Sequence, residues 1–148
     1  MNKAFTLIEL LVVISIIAIL AGFGTARYLT AEKQARDTQR KSDLNQYRLA
    51  LENYASANNT LYPVVCGNVS SLCAFGGAPN FQTTYLAGAC LQDPRASASV
   101  YYHYCSNGSQ YALWAILETG GYYEVCSNGR SGKLASQPSD ADGACSLP

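Results

Sequence analysis

Polarity divides the chain near its start. Residues 10–20 read LLVVISIIAIL, and no charged side chain occurs from Leu10 to Ala26. Counted from Phe5, the apolar segment to Ala26 has 22 residues, about 33 Å as a helix, enough for a bilayer core of about 30 Å. Its many β-branched residues would favour a strand in water. In lipid a lone strand leaves its backbone groups unpaired, so a helix is the allowed form.

Residues 27–57 contain no Gly or Pro and are rich in good helix formers. Leu44, Tyr47, Leu51 and Tyr54 recur at helical spacing as one apolar stripe. Opposite charges at i,i+4 in Glu32/Arg36, Asp37/Lys41 and Arg48/Glu52 predict a solvated face. The pattern therefore predicts one helix from Phe5 to about Ala57, roughly 80 Å long. Gly22 and Gly24 each weaken it by about 1 kcal/mol relative to Ala, either for close packing or as a local melting point.

Beyond Asn58-Asn59 the composition shifts to Gly, Ser, Asn and Pro, and Pro63 stops any helix. Residues 64–98 read as an irregular loop region. Asn107-Gly108, Gly120-Gly121 and Asn128-Gly129 are tight-turn signals. They separate strands expected near 99–105, 110–118, 122–126 and 131–135, an antiparallel meander that the apolar stripe of the helix can cover. The predicted fold class is α+β.

The 148 residues hold ten Lys+Arg and ten Asp+Glu, so no overall basic field argues for nucleic acid. Residues 1–26 carry only Lys3 and Glu9. Arg27, Lys33, Arg36, Arg40, Lys41 and Arg48 interleave with acids and read as a salt-bridged face rather than a DNA patch. Six cysteines, Cys66, Cys73, Cys90, Cys105, Cys126 and Cys145, follow with no C-x-x-C and a single histidine, His103. That count behind a hydrophobic N-terminus predicts a disulfide framework outside the cytoplasm rather than a zinc site. Cys105 and Cys126, two strands apart in a meander, lie at about 9–10 Å and cannot pair with each other. The simplest connectivity is sequential: Cys66–Cys73, Cys90–Cys105 and Cys126–Cys145.

Glu9 is the residue that polarity alone does not explain. A carboxylate in a hydrophobic span costs about 2.5–3.5 kcal/mol on insertion scales and marks a functional candidate. An ordinary signal peptide, with Lys3 as its basic region and a cut near Ala21, Gly22 or Gly24, has no use for it.

The start MNKA-FTLIELLVVISIIAIL resembles the N-terminal signature of type IV pilins and type II secretion pseudopilins. Weaker similarity continues through ARDTQRKSDLNQYRLALENYASANNTLYP into Asp93-Pro94 and the tyrosine-rich strands. The resemblance implies a leader at residues 1–4, cleaved between Ala4 and Phe5 by a membrane aspartyl peptidase, with N-methylation of Phe5. It also implies a membrane or filament-core helix at 5–26, its amphipathic continuation at 27–57, and an extracytoplasmic head at 58–148. The freed Phe5 amine then lies one turn from Glu9, where the carboxylate of one subunit can neutralise the amine of its neighbour. At about 4 Å and an effective dielectric near 20 the pair attracts by about 4 kcal/mol before desolvation. Its main effect is then to set axial register.

On this reading the protein is a structural subunit stored in the cytoplasmic membrane and assembled into a homo-oligomeric surface filament. Its partners are the peptidase and the inner-membrane assembly machinery; nucleic acid is left open. The alternatives are a major pseudopilin of a secretion system and, from another class, a secreted disulfide-rich binding domain. The Cys126–Cys145 pair resembles the disulfide-closed C-terminal region of many pilins. No enzyme and no cofactor are expected. His103 reads as a strand-surface residue, Trp114 as a core anchor and the tyrosines as strand formers or a stacking surface. Asp140 and Asp142 form an incomplete calcium-loop pattern. Asn58, Asn68 and Asn107 begin N-x-S/T triplets.

Overall fold

A computed structural model of the chain describes residues 5–97, 99–139 and 143–148, and for 23–26 the backbone alone. Helix α1 spans Leu7–Ala57 without interruption, Gly22 included. Contacts divide the chain into two units, Met1–Ala35 and Arg36–Pro148.

In the first unit the apolar side chains of residues 5–20 are bare. Phe5, Leu7, Ile8 and the aliphatic residues to Leu20 are 48–82% exposed. The segment is long and apolar enough to cross a membrane.

In the second unit the rest of α1 packs on a five-stranded antiparallel sheet of order β1-β2-β3-β4-β5. The strands are β1 (Cys66–Asn68), β2 (His103–Ser106), β3 (Tyr111–Ile116), β4 (Tyr122–Cys126) and β5 (Ser131–Leu134). The last four are the meander that the turn signals predict. The apolar stripe of α1 is buried as expected, with Leu44, Tyr47 and Leu51 joined by Ala50. It meets Tyr104, Tyr111, Leu113, Ala115 and Val125, the residues that alternate onto one face of the sheet. Leu72 of α2 (Val69–Cys73) and Phe81 of α3 (Phe81–Tyr85) close the core.

Residues 64–98 are not an irregular loop: they contain β1, α2 and α3. This changes the disulfides. β1 pairs with β2 in a register that sets Cys66 opposite Cys105, and the two are bonded. Cys73, at the end of α2, is bonded to Cys90. The sequential pairs Cys66–Cys73 and Cys90–Cys105 are therefore wrong, whereas Cys126–Cys145 is present. A three-residue Cys-Gly-Asn strand shows no alternation to read, and its pairing is decided by the edge that β2 offers. Cys105 and Cys126 stay two strands apart.

The triplet asparagines have structural uses. Asn68 caps α2 by accepting the Ser70 N–H, and Asn107 accepts the N–H groups of Ser109 and Gln110 in the β2–β3 turn. Asn58 donates to the Tyr54 carbonyl where α1 ends.

Candidate functional site

The N-terminal candidate begins with Thr6. Its N–H and hydroxyl donate to Glu9 Oε2 at 2.9 and 2.8 Å, and the Glu9 N–H donates back to Thr6 Oγ1 at 3.3 Å. This is a capping box: Thr6 stands at the N-cap and Glu9 three residues on, so α1 starts at Leu7 rather than Phe5. The T-x-x-E spacing that announces it is legible in the sequence. The reading of Glu9 as a lone charge passed over it. Both bonds fall on Oε2, and the carboxylate is exposed amid Phe5, Ile8, Val12 and Val13, which offer an open apolar surface around it. Phe5 is 80% exposed. Ala4 lies outside the described residues.

The second unit contains a charged cluster that the i,i+4 pattern does not anticipate. Asp37 and Arg40 belong to the same buried face as Leu44 and Tyr47, at spacings of three and four. Asp37 does not reach out to Lys41. It accepts the N–H groups of Glu118 and Thr119 and the Thr119 hydroxyl at 2.7–3.0 Å, capping the turn between β3 and β4. Arg40 donates through Nη1 to Asp37 at 2.7 Å and to Glu118 at 3.0 Å, and takes both oxygens of Asp93 along the Nε–Nη2 edge of its guanidinium. Arg36 holds Glu118 in the same two-bonded way, at 2.6 and 2.7 Å. Arg48 and Glu52 do not pair as expected either, for Glu52 accepts the Tyr62 and Tyr111 hydroxyls. The expectation of a solvated face holds for Glu32, Lys33, Lys41 and Glu52, which are exposed, and fails for Asp37 and Arg40, because charges that satisfy one another can share a helix face with leucine.

These contacts set the ionisation of the cluster. Hydrogen bonds from Arg36, with Arg40 beside it, lower Glu118 to about 2. Burial opposes ionisation of Asp37, but its four hydrogen bonds outweigh that and hold it below the usual carboxylate range. Arg40 is raised by Asp93 above all and stays charged. One turn along, Asp43 accepts the Tyr102 hydroxyl at 2.7 Å and is pushed up by burial.

Trp114 is buried as a core anchor would be, but on the opposite face of the sheet from Leu113. His103 stacks on it with centroids 3.7 Å apart, and Tyr101 stacks on His103. Glu124, Cys126 and Cys145 bring potential metal donors within 4.8 Å of one another. The two sulfurs are spent on each other in a disulfide, so the set does not make a metal site as it stands. Asp140 and Asp142 lie outside the described residues.

Known proteins match part of the chain. Residues 1–25 match the prokaryotic N-terminal methylation motif. A type IV wide pilus major component, PilA4 of Thermus thermophilus, is 48% identical over 58 residues, which cover 39% of this chain and 44% of that relative. The match thus spans less than half of the relative's length. No solved structure matches. The chain carries the N-terminal motif of the type IV pilin family, and its fold, a long N-terminal helix on an antiparallel sheet with three disulfides, is pilin-like.

Proposed function

We propose that the protein is a structural pilin subunit that polymerises through residues 5–26 of α1 into a type IV pilus filament. The observation that carries this reading is Glu9. It is an acid at the head of a helical segment whose apolar side chains have no cover in the single chain. Such a surface is unstable in water and calls for lipid first and other copies of itself afterwards. The matching relative is named as a pilus component.

In this account residues 1–4 are the leader, removed between Ala4 and Phe5 by a prepilin peptidase, and the new Phe5 amine is methylated. Residues 5–26 store the subunit in the cytoplasmic membrane and then form the filament core. Residues 58–148 make the extracytoplasmic head, with 27–57 joining the two. Glu9 of one copy neutralises the Phe5 amine of the next. Thr6 keeps the carboxylate turned to the helix start, with both of its hydrogen bonds on Oε2.

N-terminal sequencing of the exported protein tests the processing: a first residue of Phe5 supports the reading, and a start after Ala21 or Gly24 replaces it with a secreted binding domain. Electron microscopy of cells carrying Glu9→Val tests the assembly. The variant is expected to be inserted and processed but to yield few filaments, and normal filament numbers would reject the role of Glu9. Surface filaments in the parent strain also separate a pilin from a pseudopilin.

A further inference from the structure

Asparagine is followed by glycine twice, at Asn107-Gly108 and Asn128-Gly129, and the fold holds the two pairs differently. In the β2–β3 turn the Asn107 amide oxygen accepts three hydrogen bonds, from the N–H groups of Ser109 and Gln110 and from the Ser109 hydroxyl, at 2.9–3.1 Å. Gly108 is buried. Its N–H donates to the buried Ser106 hydroxyl at 3.0 Å, and its carbonyl accepts the Tyr62 N–H at 2.8 Å. A Cβ added to it would meet Val64 Cγ2 at 3.3 Å.

The β4–β5 turn is open by comparison. Asn128, Gly129 and Arg130 are all exposed. The Asn128 amide oxygen accepts a single hydrogen bond, from the Arg130 N–H at 2.9 Å. Gly129 takes the left-handed φ of 84° that lets a short loop close the hairpin, and its N–H donates to the Cys126 carbonyl at 3.1 Å. What lies beside it is a cation: a Cβ added to Gly129 would stand 3.9 Å from Arg48 Nη2. Arg48 is half-buried on α1, and among the described residues it forms no ion pair. Glu52, four residues on, is taken up with the Tyr62 and Tyr111 hydroxyls.

We propose that Asn128 is a site of spontaneous deamidation and that Arg48 receives the carboxylate so formed. The Asn128 side chain leaves the Arg130 N–H, and the Gly129 nitrogen, giving its proton to solvent, adds to Cγ. The Cγ–Nδ2 bond breaks, and the nitrogen departs as ammonia with a proton taken from solvent. The five-membered imide then takes up one water. Opening at Cγ gives aspartate and opening at the main-chain carbonyl gives isoaspartate; either way one new carboxylate stands at residue 128. The net change is amide plus water to carboxylate plus ammonium, with no oxidant or cofactor. Glycine lacks the Cβ that would crowd the attacking nitrogen. Asn128 gives up one surface bond to reach this geometry, whereas Asn107 must give up three and draw Gly108 out of its packing. The product supplies Arg48 with a counter-charge and so ties α1 to the β4–β5 turn.

The full-length protein in detergent micelles is held in mildly alkaline buffer, and peptide mapping by mass spectrometry follows both asparagines. Loss of the amide is expected at Asn128 while Asn107 keeps its own. In urea with the disulfides reduced, where neither turn persists, both should convert at similar rates, which assigns the difference to the fold. Matching loss at the two sites of the folded protein, or earlier loss at Asn107, overturns the proposal, as does a difference of the same size that persists in urea. Asn128→Asp supplies one of the two products directly. It is expected to raise the melting temperature by about 1–4 °C, to lose that gain at high salt, and to give no gain in the Arg48→Gln background. A melting temperature that Asn128→Asp leaves unchanged, or raises as much without Arg48 as with it, overturns the pairing with Arg48.

Discussion

Arg40 and Asp93 meet inside the head through two parallel hydrogen bonds, Nε to Oδ2 at 2.7 Å and Nη2 to Oδ1 at 2.9 Å, with both side chains 1% exposed. The pair joins α1 to a loop 53 residues further along the chain. Asp37 and Glu118 complete the shell around the same guanidinium. A buried pair of this kind gains little over an apolar substitute, but removal of one member strands the other's charge.

Arg40→Leu is therefore expected to destabilise the head by about 3–5 kcal/mol, since it takes the guanidinium away from the buried carboxylates of Asp37 and Asp93 together. Arg40→Lys retains the charge but not the fork, and should fall between the two. Urea unfolding of the head, monitored by Trp114 fluorescence, measures both. A loss below about 1 kcal/mol in Arg40→Leu would mean that the cluster does not hold the helix.

The same cluster predicts acid sensitivity. Glu118 at about 2 and the lowered Asp37 release protons more readily folded than unfolded. Their stabilisation is complete above the ordinary carboxylate range near 4.5 and is lost as pH falls through the folded values. Melting temperature should decline between pH 5 and pH 2, and Glu118→Gln should flatten part of that decline. An unchanged slope in the variant would remove Glu118 from the account.

Peptide mapping of alkylated, unreduced protein is expected to find Cys66 joined to Cys105, Cys73 to Cys90 and Cys126 to Cys145. Replacing each pair with alanines should cost about 2–4 kcal/mol. The Cys66–Cys105 bridge closes the longest loop, with a separation of 39 residues against 17 and 19. On chain entropy alone its removal should cost about 0.6–0.7 kcal/mol more than that of either other pair.

At the end of α1, Thr60 is held at φ 64° while its N–H reaches back to the Ala55 carbonyl at 2.8 Å. A β-branched residue is strained in that left-handed region, whereas glycine is not. Thr60→Gly is expected to stabilise the head by about 1 kcal/mol and to raise its melting temperature by about 4–8 °C. A lower melting temperature would show that the Thr60 hydroxyl bond to the Asn59 carbonyl matters more than the strain.

The long helix, its apolar first half, the stripe at Leu44, Tyr47 and Leu51, and the four strands of the meander were all legible in sequence. Each is dictated by periodicity or by turn residues acting over a few positions. The acid at Glu9 stood out for the same local reason, because nothing around it shares its polarity. Three-dimensional partners decided the rest. Asp37 and Arg40 have the composition of a surface and become interior only because Asp93 and Thr119 arrive from distant parts of the chain. Cys66 finds Cys105 because a short strand takes the free edge of β2, and Glu124 becomes buried only when residues 143–147 fold over it. Local pattern measures what a residue prefers in water, whereas burial of a charge or a choice among six sulfurs depends on which groups the closed chain sets beside it.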